Sequence, residues 1–514
     1  MSMTRPPYAL RGLLALAIVL GCYYHLGAVP LFDLDEGAFS EATREMLLRG
    51  DLISPYLNGV PRFDKPAFIH WLQAAGVSLL GWNEFALRLP SAVAATLWLG
   101  VVYAAVRRLR DERSALWAAF TMAASLEISV MAKAATADAL LNLFITSAML
   151  SAFLYFRLGR PAYLYATYAA MALGFLTKGP VAVVIPLATT FLFYLSERRL
   201  GDWWRAVLHP RGLVLFALIA LPWYVVQYAK EGEAFIQGFF FKHNLSRFQD
   251  PMEGHSGSLF YYLPVILIGV LPYTTVLLVT LARGRAILRD PLGRYLAIWF
   301  VFVLVLFSLS GTKLPHYIVY GYTALFVLMA LWGEPWPRRG WLLLPPLLLF
   351  VLLLVLPELL TAALPYVRDA FARSMLAEAA AEFSAAYRVY FALAALAMAG
   401  LMLWRPIAPR QALAAAGLAT VFGLAQYVIP VVAAVQQAPI KEAALLARAR
   451  AERVVMWRLN TPSFSVYSER LVARRAPRAG EVVLTKALYL ADLGEVEVLY
   501  QKHGIVLARV SAVP

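Results

Sequence analysis

Cysteine is the first thing this chain lacks: 514 residues contain one, Cys22. It sits inside an apolar run, so there is no disulfide framework and no thiolate metal site. Charge is the second scarcity. Charged residues make up 15% of the chain, against about 25% in a soluble domain. Hydrophobic residues reach 61% and the mean hydropathy is +0.66. That balance excludes a water-soluble globular protein and predicts an α-helical polytopic membrane protein. A repeat of fixed period is also missing. The first apolar span has no small-residue cleavage pattern, so it reads as an anchor and not as a cleaved signal.

The net charge of +15 would suggest nucleic acid in a soluble protein. Here the basic residues form short clusters between apolar spans, which is the positive-inside signature of a membrane protein, and no nucleic-acid partner is expected. Candidate spans run near 11–29, 88–106, 114–132, 138–156, 161–176, 180–196, 212–229, 259–281, 295–311, 315–332, 340–356, 386–404 and 411–435. That makes about thirteen transmembrane helices. With Arg5 and Arg11 in the cytoplasm, alternation puts the later clusters inside as well: Arg107 to Arg113, Arg157 and Arg160, Arg198 to Arg205, Arg283 to Arg294, Arg338 and Arg339, and Arg405 and Arg410. A miscounted span would invert every cluster after it.

The opposite, periplasmic side carries the polar residues of interest. A first outer loop, about 30–87, holds the acids from Asp33 to Glu45 and the Asp64-Lys65 pair. Ala38, Phe39, Ala42 and Met46 recur at helical spacing there, and 68–80 repeats the pattern with aromatic residues. Amphipathic helices at the membrane interface are expected, not a strand pair. Pro66 marks a helix entry. Residues 1–435 form the transmembrane domain. Residues 436–514 form a small periplasmic α/β domain, with β-branched runs at 454–457, 481–484 and 504–510 punctuated by Pro477, Gly480 and Gly494. That domain shows no nucleotide loop and no metal spacing.

Asp33, Asp35 and Glu36 crowd together just outside the first span. Exposed carboxylates are ordinarily solvated charges, yet one beside an interface with returning cations suits a general base. Asp138 opens an apolar span. An ionisable group there reads equally as an N-cap and as a functional acid. Lys65, Lys178, Arg247 and Lys313 lie on the outer side against the positive-inside bias, so something anionic compensates each of them. The first-loop carboxylates could do so, and so could a phosphate at the membrane surface. His243 and His255 flank Arg247; lone histidines are more often hydrogen-bonded surface groups than metal ligands.

These residues carry a resemblance. Asp35-Glu36, Arg44-Glu45-Met46-Leu47, Gly50-Asp51, Phe63-Asp64-Lys65-Pro66 and Trp71 resemble the first periplasmic loop of the bacterial lipid A aminoarabinose transferases. Those enzymes stand with the protein O-mannosyltransferases in the GT-C class of membrane glycosyltransferases. The likeness continues in order through Asp138, Leu176-Thr-Lys-Gly-Pro180, Arg247-Phe248, His255, Phe260-Tyr-Tyr262 and Lys313-Leu-Pro-His-Tyr317, over roughly the first 330 residues.

The resemblance implies GT-C architecture in the bacterial inner membrane, with the N-terminus cytoplasmic and the active site periplasmic. It implies inverting transfer of a sugar from a polyprenyl phosphate to a lipid, glycan or protein acceptor, 4-amino-4-deoxy-L-arabinose to lipid A being the lead. Asp35 would be the base, Glu36 its neighbour and Asp138 a second acid. Lys65, Lys178, Arg247, Lys313 and Tyr317 would hold the donor phosphate. Asp64 and His255 fall where the aminoarabinose enzymes contact a divalent metal, zinc. The chain departs from the pattern at Asp64, usually Glu, at Ser256, usually basic, and at Asn244, where the aminoarabinose enzymes carry His. Its C-terminal domain is also shorter. Two other functions remain in view. One is a related transferase using mannose or another hexose. The other is a transporter or flippase, for which half-repeats and interrupted midplane helices would be expected.

Overall fold

The computed structural model describes residues 7–246, 257–404 and 407–512. Arg5, Arg247, His255 and Arg405 lie outside the described residues. Each of the thirteen apolar stretches contains helix. Eight helices among the described residues are long and apolar enough to cross a membrane: Glu84–Leu109, Asp138–Leu158, Pro210–Glu231, Pro291–Leu309, Pro315–Trp332, Arg339–Tyr366, Ala385–Leu403 and Pro409–Gln436. Glu112–Ala123 and Leu126–Lys133 make a ninth if counted as one span, bent by 67°. The protein is thus a multi-pass helical membrane protein. Pro7–Ile18, Pro161–Lys178 and Val181–Ser196 are helices outside that set of nine.

Local chemistry explains where the helices break. The stretch expected at 259–281 is two helices, Tyr262–Gly269 and Thr274–Leu281. Pro272 lies between them; it has no N–H to give a helix and restricts Leu271 before it. At 315–332 the first turns, Pro315–Gly321, are tightened before the α-helix Tyr322–Trp332 begins.

The first outer loop corrects two expectations. Its helices are Asp35–Arg49 and Phe68–Leu80. Between them lies a strand pair after all, Tyr56–Leu57 against Val60–Pro61. Asn58 and Gly59 both take positive φ, 52° and 80°, as a two-residue hairpin turn requires. The Asp35–Arg49 helix also does not lie on the interface: every residue from Glu36 to Met46 is buried. Its charges survive burial by pairing, Arg44 donating to both oxygens of Glu41 at 2.7 and 2.6 Å. Phe68–Leu80 keeps one buried face, including Ile69, His70, Gln73 and Val77.

The C-terminal domain is a five-stranded sheet ordered Ala473–Arg474, Val454–Met456, Val482–Lys486, Ile505–Ala512, Glu495–Lys502. The first two pairings are parallel and the rest antiparallel. Helices Ala438–Ala449 and Pro462–Ser468 belong to it, and the latter packs against the Asp35–Arg49 helix.

Candidate active site

A cavity of about 340 Å³ opens where the first outer loop meets the helix ends. Asp33, Asp35 and Glu36 line it, with Arg88, Lys133, Asp138 and His316 from distant parts of the chain. The acids singled out in the sequence are therefore neighbours in space.

Glu36 is spent on structure. Its carboxylate accepts Arg88 Nε at 2.8 Å and Arg88 Nη2 at 2.7 Å, together with the backbone N–H groups of Ala135 at 2.6 Å and Phe32 at 2.8 Å. A carboxylate has about four acceptor positions, and all are used. Arg88 gives its remaining N–H groups to the carbonyls of Leu26, Val29 and Pro30 at 2.8–3.0 Å. The pair is 3% and 5% exposed, and it ties the Glu84–Leu109 helix to the turn before the Asp35–Arg49 helix.

Asp35 begins that helix and is exposed on the cavity wall. Its carboxylate makes no hydrogen bond or ion pair among the described residues. Asp33, two residues earlier, is engaged: Ser463 of the C-terminal domain donates its N–H at 2.9 Å and its hydroxyl to the two carboxylate oxygens. Burial pushes Asp33 up to about 7, with the Ser463 hydrogen bonds opposing and the Glu36 charge adding to the rise.

Asp138 is not an N-cap. Ala137 holds that position, and the Asp138 side chain accepts from Lys178 Nζ at 2.5 Å and Tyr320 OH at 2.8 Å. Lys178 also reaches Tyr320 OH at 2.9 Å and lies 5.6 Å from the centre of the Tyr317 ring. The Asp138–Leu158, Pro161–Lys178 and Pro315–Trp332 helices thus meet at one polar knot in an apolar bundle. Lys313 is buried on the short connection between Pro291–Leu309 and Pro315–Gly321, donating to Ser310 O at 2.7 Å.

The structure sets Lys65 and Asp64 apart from this cavity wall. Asp64 pairs with Arg62, Nε to Oδ1 at 2.6 Å, and stands 3.8 Å from Lys65 Nζ. Burial would raise its pKa, but Arg62 and Lys65 overcome this and hold the carboxyl well below the usual range. His243 acts on Asp64 in the same direction. No group of three His, Cys, Asp or Glu side chains among the described residues is placed to hold a metal ion. The described residues therefore do not complete the metal set expected at Asp64, and His255 lies outside them, as does the phosphate candidate Arg247.

Arg88, Lys133, His316 and Tyr320 join the site, and Arg62 the cluster around Asp64, without having been assigned a role from sequence. Arg88 had a usable signal, since an arginine inside an apolar span is a functional candidate by default. Ser463 had none.

Residues 64–225 match the family described as dolichyl-phosphate-mannose-protein mannosyltransferase. A Yersinia pestis protein named undecaprenyl phosphate-alpha-4-amino-4-deoxy-L-arabinose arabinosyl transferase is 30% identical over 324 residues, 62% of this chain and 58% of that protein. An uncharacterized Aquifex aeolicus protein is 34% identical over 307 residues, 59% of this chain and 68% of its own length. The crystal structure of ArnT from Cupriavidus metallidurans bound to undecaprenyl phosphate superposes with a TM-score of 0.83 over 99% of this chain and 100% of that one, at 22% identity. The chain belongs to the GT-C class of membrane glycosyltransferases. It spans 58% of the length of the arabinosyl transferases it matches. The structural likeness speaks for the fold of this GT-C protein, including its C-terminal sheet domain.

Proposed function

We propose that this protein is an inverting glycosyltransferase that moves a sugar from a polyprenyl phosphate to an acceptor. The observation that carries the reading is the Asp35 carboxylate, without a partner among the described residues, on the wall of a cavity that the saturated Glu36–Arg88 pair and Asp138 also line. Asp35 takes the proton of the acceptor nucleophile. The acceptor oxygen, or another acceptor atom, then bonds to the anomeric carbon as the bond from that carbon to the phosphate oxygen breaks, with inversion. The phosphate leaves with the bonding electrons. Lys65, Lys178, Lys313, Arg247 and Tyr317 are assigned to the donor phosphate, where cations stabilise the charge that develops as it departs. Glu36 is assigned to positioning through Arg88, and Asp138 to fixing the Lys178 ammonium.

The donor is read from the relatives' names, 4-amino-4-deoxy-L-arabinose on undecaprenyl phosphate, and lipid A is carried over from the sequence resemblance as the leading acceptor. The reading places the protein in a bacterial inner membrane with the N-terminus cytoplasmic, and with the cavity and the domain of residues 436–514 periplasmic. It also has the shorter helices cross with the long ones, giving thirteen spans. The test is transfer by the purified protein from a panel of polyprenyl-phosphate sugars, beginning with the aminoarabinose donor and lipid A, in wild type and Asp35→Asn. Transfer in wild type and its loss in Asp35→Asn are expected. Equal rates from every active donor would remove Asp35 as the base.

A further inference from the structure

The turn that presents Asp35 is held from two sides. On the membrane side, Arg88 binds the carbonyls of Leu26, Val29 and Pro30 and the Glu36 carboxylate. On the other side stands the short helix Pro462–Ser468 of the C-terminal domain, more than 400 residues away in the chain. Ser463 grips both oxygens of Asp33. Tyr467 OH accepts the Leu31 N–H at 2.7 Å and donates to Glu84 at 3.0 Å, and Lys441 pairs with the same Glu84. Ser465 donates to the Asn58 side chain at 3.0 Å. Contact is close enough that a Cβ on Gly37 would sit 2.6 Å from the Ser463 nitrogen and collide with Asp33. Between these anchors only Leu34 and Asp35 are exposed.

We propose that Ser463 and Asp33 are positioning residues for transfer: the C-terminal domain fixes the turn whose next exposed carboxylate is Asp35. The proposal rests on the reading of Asp35 as the base. The physical reason is that a base works only within hydrogen-bond reach of the proton it takes, and small displacements there are costly. Leu31 and Asp33 are pinned on the chain immediately before Asp35. Releasing either pin lets the first turn of the Asp35–Arg49 helix rotate without touching the phosphate-binding cations. The domain therefore contributes to catalysis through Asp33 without itself reaching the reacting atoms.

Ser463→Ala, Ser463→Thr, Asp33→Ala and the Asp33→Ala/Ser463→Ala double variant of the full chain test this. Hydrogen exchange of the amides from 31 to 38 comes first, since it does not depend on any substrate. Exchange is expected to rise in Ser463→Ala and to return toward wild type in Ser463→Thr, which keeps the hydroxyl. Unchanged exchange in Ser463→Ala overturns the proposal. With undecaprenyl phosphate-aminoarabinose and lipid A, Ser463→Ala is expected to lower kcat roughly tenfold and leave the donor KM unchanged. Asp33→Ala, which loses both contacts, is expected to lower kcat up to about a hundredfold, and the double variant no further. Additive losses, or a change confined to KM, overturn the proposal. Loss of transfer in Asp35→Asn with Ser463→Ala as fast as wild type defeats the positioning role and leaves the base standing. Full transfer in Asp35→Asn defeats the base itself.

Discussion

The Arg88 guanidinium meets the Glu36 carboxylate through hydrogen bonds of 2.8 and 2.7 Å across 52 positions of sequence. Neither group has a donor or acceptor left over, so removing one partner strands the other in a buried site. Arg88→Ala is therefore expected to destabilise the protein by about 3–5 kcal/mol. Thermal unfolding in detergent reads this as a lower midpoint. Glu36→Gln keeps the shape but loses the charge, and should fall between wild type and Arg88→Ala. A midpoint for Arg88→Ala equal to wild type would mean that the pair does not hold the turn.

Asp138 and Lys178 form the second coupled pair, joined at 2.5 Å with Tyr320 as a shared partner. Lys178→Met leaves a carboxylate buried with one neutral donor, and Asp138→Asn leaves an ammonium in the same position. The double variant should lose less stability than the two single losses add up to, with a coupling of about 0.5–3 kcal/mol. Unfolding midpoints of the four proteins measure it directly. A coupling of zero would separate the two residues.

Lys65 offers a test of the donor site. Its ammonium donates to Asp64 O at 2.9 Å and belongs to the cluster around Asp64. If it also contacts the lipid phosphate, Lys65→Ala should weaken equilibrium binding of undecaprenyl phosphate by about 1.5–3 kcal/mol, roughly ten- to hundredfold in Kd. Binding as tight as wild type would take Lys65 out of the phosphate site.

Which parts of this arrangement were legible beforehand follows from the range of each signal. Apolar runs and their basic flanks located the helices, because membrane spanning writes itself into about 20 consecutive residues. The same runs did not reveal the break at Pro272 or the bend before Leu126, where tertiary contacts such as Leu126 N–H to Leu271 O take over. Within the first loop, spacing found the Asp35–Arg49 helix and misjudged its surroundings. Glu41, Arg44 and Glu45 look like a solvated face, and only the pairing of Glu41 with Arg44, and of Glu45 with Arg49 and the Gly59 N–H, lets them be buried. The acids and lysines of the site stood out as charges in an apolar chain. Arg88 and Tyr320 were absorbed into span boundaries. Ser463 is an ordinary serine until the C-terminal domain folds back onto Asp33.

Asp33 finally gives a pH dependence with a definite sign. Its ordinary pKa of 3.8 rises to about 7 in the folded protein because it is buried. The folded state therefore binds more protons than the unfolded one between these values, and ∂ΔG/∂pH of unfolding from this group is negative there. The stabilising contribution is fully present below pH 3.8 and is lost as the pH rises through about 7. Glu41, raised to about 7 by burial against the opposing pull of Arg44, acts in the same direction. Asp64, held low by Arg62 and Lys65, acts in the opposite one. A single profile therefore mixes several groups, and the informative quantity is the difference between wild type and Asp33→Asn. An amide at this position accepts the Ser463 N–H and faces the hydroxyl without a charge to desolvate. The midpoint of Asp33→Asn relative to wild type should climb as the pH is taken from 5.5 through about 7 and level off above that, where Asp33 is ionised in both states. A difference that stays constant over that range, or shrinks, would show that the Asp33 carboxyl does not ionise in a buried site.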